Sequence, residues 1–400
     1  MSRAPDLRPD FLWGASTSPH QIEGNNINSD WWRMEHQSQG HLEPSGDALD
    51  SYHRYGEDMR LLAEAGLNAY RFGVEWARIE PEPGQYSRAE LAHYRCMIET
   101  ARGLGLEPVV TLHHFSSPRW FTDEGGWTSP KAVDRFAGYV EQVCPILDDV
   151  TWVCTINEPN ILALMSGMAT AVADGVDINL GAGMRMPSPS TEIGEALVRA
   201  HRAAVVVLRE HTSAKVGWTV AQQALVPTPG SEELHAELRW AWEDLYHHGA
   251  RGDDFLGVQS YTSQLVDKDG IVPAPESPDN TLTGWAYRPD ALGIALRHAW
   301  EATEGIPLLV TENGIATTDD SRRIAYTTEA LGHLYDAIAE GIDVRGYLHW
   351  SALDNFEWGH WAPTFGLIAV DRETFERTPK PSLAWLGGVA RKGGALDTGE

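Results

Sequence analysis

The sequence predicts a single closed (β/α)8 barrel, and three observations lead there. Short β-branched or apolar runs alternate with amphipathic stretches along the chain; the runs number eight; and 400 residues, 42% of them hydrophobic, suffice for one large core. Such alternation is the sequence form of repeated βα units, and α/β barrels commonly pass about 250 residues undivided. With no short-period repeat, low-complexity tract or second domain, residues 1–392 are assigned to the barrel and 393–400 to a C-terminal tail.

The expected strands cover residues 11–15, 68–72, 108–113, 150–156, 214–219, 255–259, 307–311 and 344–349. Helices between them have readable ends. Ser87-Arg88-Ala89-Glu90 fits a capping box, continued by Leu91, Tyr94, Ile98 and Ala101. Ser129 caps and Pro130 takes the first helical position of a helix whose apolar face is Val133, Phe136, Val140 and Val143. Leu331, Leu334 and Ile338 lead to Gly341, a left-handed stop. Two stretches fit the repeat poorly, 160–189 after the fourth strand and 263–289 after the sixth, and long βα loops of this kind wall a substrate cleft.

Composition narrows the chemistry. With 31 basic against 57 acidic residues the net charge is −26, which repels nucleic acid, anionic lipid and phosphorylated compounds and favours neutral ligands. No apolar stretch approaches the roughly 20 residues of a membrane span, and the first residues lack a secretory pattern. Cys96, Cys144 and Cys154 have no C-x-x-C spacing and fall on predicted helices or a strand, so buried thiols and a cytoplasmic location are expected.

A barrel places its chemistry at the C-terminal ends of the strands. Glu158 ends the fourth strand and Glu312 the seventh, on facing walls. Two facing carboxylates suit glycosidic bond cleavage, where one carboxylic acid protonates the leaving oxygen and one carboxylate attacks or activates water. The plain alternative is a pair of solvated loop glutamates. The other strand ends are also polar or aromatic: Gln21 and Glu23, Arg71, His113 and His114, Gln259 and Tyr261, and Trp350 followed by Asp354-Asn355-Phe356-Glu357-Trp358. Amide, imidazole and carboxylate groups bind sugar hydroxyls, and indoles cover the ring face. His113 and His114 are adjacent on a strand and point to opposite faces, so they do not chelate one ion together.

These motifs run nearly end to end through the chain and resemble glycoside hydrolase family 1, the β-glucosidase and β-galactosidase barrels. The resemblance rests on Phe11-Leu12-Trp13-Gly14-Ala15-Ser16, Gln21-Ile22-Glu23-Gly24, Tyr52-His53-Arg54-Tyr55, Ala69-Tyr70-Arg71-Phe72, Thr111-Leu112-His113-His114, Asn157-Glu158-Pro159, Thr311-Glu312-Asn313-Gly314 and Asp354 to Trp358. It implies a retaining double displacement with Glu158 as general acid/base and Glu312 as nucleophile, supported by Arg71 and Tyr261. Gln21, His114, Asn157, Tyr261, Trp350, Glu357, Trp358 and Phe365 then bind substrate, and no metal or cofactor is needed. The implied substrate is a small β-glycoside, most simply a terminal β-D-glucoside. A carboxylate at Glu357 would repel a 6-phosphate, so the glycone is unphosphorylated. A transglycosidase on the same intermediate and an idle glycoside-binding barrel are the other readings. No oligomeric state follows.

Some positions depart from the family pattern. Gln259-Ser260-Tyr261 stands for the usual Asn-Tyr-Tyr, His114-Phe115 for His-Trp, Thr364 for Arg, and Ala352 for Leu. The first two touch the glycone pocket. Trp120, Met165, Met168, Met184, Met186 and Trp285 are either an apolar outer site for an aryl or terpenoid aglycone or core.

Overall fold

The computed structural model describes residues 7–173 and 186–396. Eight parallel strands close into a barrel, each hydrogen-bonded to its sequence neighbours and the eighth to the first. They are Leu12–Ser16, Ala69–Gly73, Glu107–Thr111, Trp152–Asn157, Lys215–Ala221, Phe255–Gln259, Leu308–Asn313 and Val344–Trp350. The expected runs coincide with these to within two residues at most ends. The fourth strand extends to Asn157 and the seventh to Asn313, so both candidate glutamates lie at or beside the last ladder residues.

Side chains alternate in direction along a strand, and the barrel interior follows that rule. Leu12, Ala69, Val109, Trp152, Cys154, Phe255, Leu309 and Leu348 form a buried apolar layer contributed by seven of the strands. Two residues further along, inward positions turn polar: Arg71 above Ala69, Thr111 above Val109. Gly257, between Phe255 and Gln259, leaves no room for more, because a Cβ there would meet Thr219 Cγ2 at 2.5 Å. The apolar layer closes the barrel floor, and the polar layer above it is the floor of the site.

Both glutamate-bearing strands slip register near their ends, between Cys154 and Asn157 against the fifth strand and between Val310 and Glu312 against the sixth. Such irregularities re-aim side chains at barrel rims. Here they turn Asn157 and Glu312 inward.

The outer helices form largely as their sequences require. Ser87 accepts from the Glu90 amide at the start of Arg88–Gly103. The second half of the expected box is absent, since the Glu90 carboxylate instead accepts from Tyr52 Oη. The helix expected from Pro130 begins later, at Ala132–Val143, with Gly126–Thr128 a short 3-10 turn ahead of it. Gly341 does stop Asp320–Ala339 in the left-handed region, φ 98°. Cys144 and Cys154 are buried, but Cys96 is exposed, contrary to expectation. Tyr94, Met97, Ile98 and Ala101 are the buried face of its helix, and position 96 turns away from them.

The two irregular stretches take distinct forms. Residues after the fourth strand form the helix Pro159–Ala173, not a loop, while 174–185 lie outside the described residues. The stretch after the sixth strand contributes Gln264–Asp267 and Gly270–Ile271 to a small sheet with Leu225–Pro227. Of the tail, Gly394 O accepts from Tyr335 Oη and Leu396 packs on the core; 397–400 lie outside the described residues. Among the described residues, no helix is long and apolar enough to cross a membrane.

Candidate active site

Arg71 organises the site from the second strand. Fully buried, it donates from Nε to Thr111 Oγ1 (2.9 Å), from Nη1 to Glu312 Oε1 (2.5 Å) and from Nη2 to Asn157 Oδ1 (2.6 Å). A guanidinium suits this task because its planar fork fixes several acceptors at once. Gln259 Nε2 lies within 2.6 Å of Glu312 Oε1 and 2.9 Å of Asn157 Oδ1, bridging the same pair. The longer side chain at this position therefore still reaches the nucleophile candidate. Tyr261 Oη donates to Glu312 Oε2 at 2.6 Å, and Tyr326 Oη fixes the Tyr261 carbonyl.

Asn157 Oδ1 accepts from Arg71, Gln259 and, at 3.0 Å, Thr219 Oγ1. Three donors on one oxygen settle the amide's orientation. Its Nδ2 is buried with no partner among the described residues, as are His114 Nδ1 and Gln259 Oε1. Unpaired buried polar groups cost about 1–3 kcal/mol each, a cost that a hydroxyl-bearing ligand would offset.

Glu158 follows the last residue of the fourth strand and precedes Pro159, the first of a helix. A following proline disfavours the right-handed helical region, and Glu158 adopts φ 42°, the left-handed one. Its amide donates to Thr219 O at 2.8 Å, tying it to the fifth strand. Glu158 and Glu312 are both buried, 9% and 3% exposed, which excludes the solvated-loop alternative for either.

Their electrostatics differ. Burial, then the neighbouring Glu312 charge, pushes the Glu158 carboxyl well above its ordinary range, with Arg71 opposing and Glu357 adding repulsion. Burial leaves Glu312 raised as well, but the Arg71 charge and then hydrogen bonds from Tyr261 and Arg71 oppose that shift. Where two nearby carboxyls compete for one proton, the one with fewer donors keeps it. Burial and charge thus favour the proton on Glu158 over Glu312.

The wall opposite is aromatic and amide. Glu357 Oε1 accepts from Trp350 Nε1 and Oε2 from Gln21 Nε2, each at 3.2 Å, and burial pushes its carboxyl up to about 8. His114 stacks between Trp350 (5.9 Å) and Trp358 (6.0 Å), and burial lowers its pKa well below the usual imidazole value, so it is neutral. His113 points the other way, bonding Ser117 and packing among Trp76, Trp127 and Phe136. Phe115, at φ 64°, meets Trp358 edge-on at 4.9 Å, filling the place with an apolar ring. Phe365 joins Trp350 and Tyr261 in an apolar cluster.

Beyond Tyr261 a cavity of about 990 Å³ opens between the segments after the fourth, fifth and sixth strands, lined among others by Ile161, Met186, Leu265, Pro273 and Trp285. Of the six apolar candidates, Met186 and Trp285 border it and are exposed. Trp120 does not: it is buried, donates to Glu80 O and packs edge-on against Trp76. Met165 and Met168 pack on hydrophobic clusters, and Met184 lies outside the described residues. Sequence reasoning gave no role to Thr111 and Thr219. Their signal was a hydroxyl at the inward position near the end of a strand.

The model of Glycosyl hydrolase family 1 matches residues 4–253 and 250–395. Thermostable beta-glucosidase B of Thermobispora bispora is 33% identical over 98% of this chain and 91% of its own length. Among solved structures, beta-glycosidase BGL167 is 43% identical with TM-score 0.88, covering 98% of this chain and 99% of that one. The family 1 beta-glucosidase from Thermotoga maritima is 27% identical with TM-score 0.89, covering 99% and 100%.

Proposed function

The chain belongs to glycosyl hydrolase family 1 and is a glycoside hydrolase, and from that premise we propose that it is a retaining β-glycosidase releasing terminal, unphosphorylated β-D-glucosyl residues from small glycosides. The observation that carries this reading is the unequal environment of the two carboxyls. Glu158 has its pKa raised by burial and by Glu312, while Glu312 accepts from Arg71, Gln259 and Tyr261.

In the first step Glu312 attacks the anomeric carbon while Glu158 protonates the departing oxygen, giving a covalent glycosyl-enzyme. In the second, Glu158 takes a proton from water, which displaces Glu312 and restores the β configuration. Asn157 Nδ2, held by three donors to its oxygen, binds the 2-hydroxyl, a contact that strengthens as the oxocarbenium-like transition state forms. Gln21, His114 and Glu357 bind the remaining hydroxyls, with Trp350, Trp358 and Phe365 against the ring faces. The names of the relatives support glucose as the glycone.

An acceptor alcohol in place of water would turn the same intermediate to transglycosylation; product analysis with added alcohol measures that share. Proton NMR of the first-formed sugar tests the stereochemistry: β-anomer first is expected, and α-anomer first rejects retention. A panel of aryl β-glycosides tests the glycone, with the glucoside expected to have the highest kcat/KM.

A further inference from the structure

Behind the cavity wall, away from Glu158 and Glu312, Asp244, His247 and His298 converge. The helix Glu232–Arg239 widens into a π turn over Trp240–Asp244 and resumes as Leu245–Gly249, while His298 comes from the next helix, Ala291–Ala302. π turns often mark sites where a helix is bent to a task. Here Asp244 and His247 share one helix face and meet His298 across the interhelical gap. One ligand atom from each residue lies within 4.8 Å of the other two.

An Asp-His hydrogen bond accounts for part of this, since His298 Nε2 is 2.7 Å from Asp244 Oδ1. It leaves out His247, whose ring is fully buried and whose Nδ1 has, among the described residues, only a long contact of 3.5 Å with Asp244 Oδ1. Nor does it account for Gln222 Oε1, also buried and unpaired, in a side chain whose amide nitrogen lies 2.9 Å from His247 Nε2. Exchanging the Gln222 amide O and N lets Oε1 accept from His247 Nε2–H, in place of the long 3.5 Å contact of the amide nitrogen with Val220 O. The His247 Nδ1 lone pair is then left aimed into the cluster.

We propose that Asp244 Oδ1, His247 Nδ1 and His298 Nε2 bind a zinc-type transition-metal ion that staples these two helices together. A tetrahedron with bonds of about 2.0 Å sets its ligand atoms roughly 3.3 Å apart; the two spacings to Asp244 Oδ1, 2.7 and 3.5 Å, bracket that value, and the two imidazole nitrogens lie within 4.8 Å of each other. Two imidazoles and one carboxylate favour zinc, nickel, cobalt or copper over calcium and magnesium. The ion takes the place of the proton between Asp244 and His298. Arg239 holds the other Asp244 oxygen at 3.1 Å, and Gln222 orients the His247 ring, as outer partners of metal-bound histidines do. Glu243 Oε2, 3.5 Å from His298 Nε2, stands at the edge of the site. The ion has no part in glycoside cleavage.

The test is calorimetric titration of chelator-treated full-length protein with zinc chloride, with cobalt chloride followed by visible absorption. One saturable equivalent per chain, d–d bands of a four-coordinate nitrogen and oxygen site, and a higher melting temperature with zinc are expected. His247→Gln and His298→Gln should each lose the saturable equivalent, and Gln222→Ala should weaken it roughly 10–100-fold. His298→Gln without metal should hydrolyse an aryl β-glucoside as the parent does, which also reports correct folding if His247→Gln fails to fold. Absence of a one-equivalent isotherm, or one of unchanged affinity in His298→Gln, overturns the proposal.

Discussion

Tyr261→Phe removes one hydrogen bond from Glu312, the proposed nucleophile, and leaves the ring in place. The bond is a part-buried O–H to carboxylate contact of 2.6 Å to the buried Glu312, and hydrogen bonds to charged groups contribute about 1.5–3 kcal/mol. Because it favours ionised Glu312, losing it raises the Glu312 pKa. At 1.36 kcal/mol per pH unit this is about one to two units. In the proposed mechanism Glu312 attacks as the anion, and its ionised fraction falls as pH falls through its pKa. The acid limb of the kcat/KM profile should therefore move to higher pH by about one to two units. The basic limb, assigned in the proposed mechanism to loss of the Glu158 proton, should move much less. The assay is hydrolysis of an aryl β-glucoside across pH, fitted as a two-proton profile. An unmoved acid limb, or one displaced to lower pH, refutes the claim that Tyr261 holds Glu312 in its anionic form.

The same logic extends to other residues. Glu158→Gln should lower kcat/KM on alkyl glucosides by about 10²–10⁴-fold and far less on aryl glucosides with acidic phenols, which leave without a proton; equal losses on both would contradict the acid role. With azide, Glu158→Ala should yield β-glucosyl azide and Glu312→Gly the α-azide, since the anion replaces water in one and the nucleophile in the other; the reverse pairing exchanges the two roles. Trp285→Ala should reduce kcat/KM for glucosides with large apolar aglycones about 3–10-fold, or about 0.6–1.4 kcal/mol, leaving inhibition by free glucose unchanged. Arg377 Nε donates to Asp58 at 2.7 Å with both side chains buried, so Arg377→Met should cost about 3–5 kcal/mol in urea unfolding; a loss below about 1 kcal/mol would show that Asp58 finds another partner.

Much of the barrel could be read from the chain because strand and helix have different periods, and the eight runs at residues 11–349 keep them apart. The roles proposed for the two glutamates rest, in the sequence, on motifs alone; burial and the Arg71 fork are products of closure and depend on strands far apart in sequence. Gln259 was visible as a strand-end amide with an extra methylene. That it still bridges Asn157 and Glu312 follows from the register slips, which side-chain patterning does not encode. Trp120 and Trp285 look alike as residues, yet one is buried beside Trp76 and the other borders the cavity, since an indole suits either place. Cys96 was misplaced although its helix carries the answer, in the face formed by Tyr94, Ile98 and Ala101.

Trapping the intermediate tests the central claim most directly. A 2-deoxy-2-fluoroglucoside with a good leaving group disfavours the oxocarbenium-like transition state, while the activated leaving group still lets the first step proceed. The intermediate therefore accumulates. Mass spectrometry of the proteolysed protein should find one fluoroglucosyl group per chain, esterified to Glu312. An adduct on Glu158 or another residue, or inhibition with no covalent adduct at all, would contradict the account.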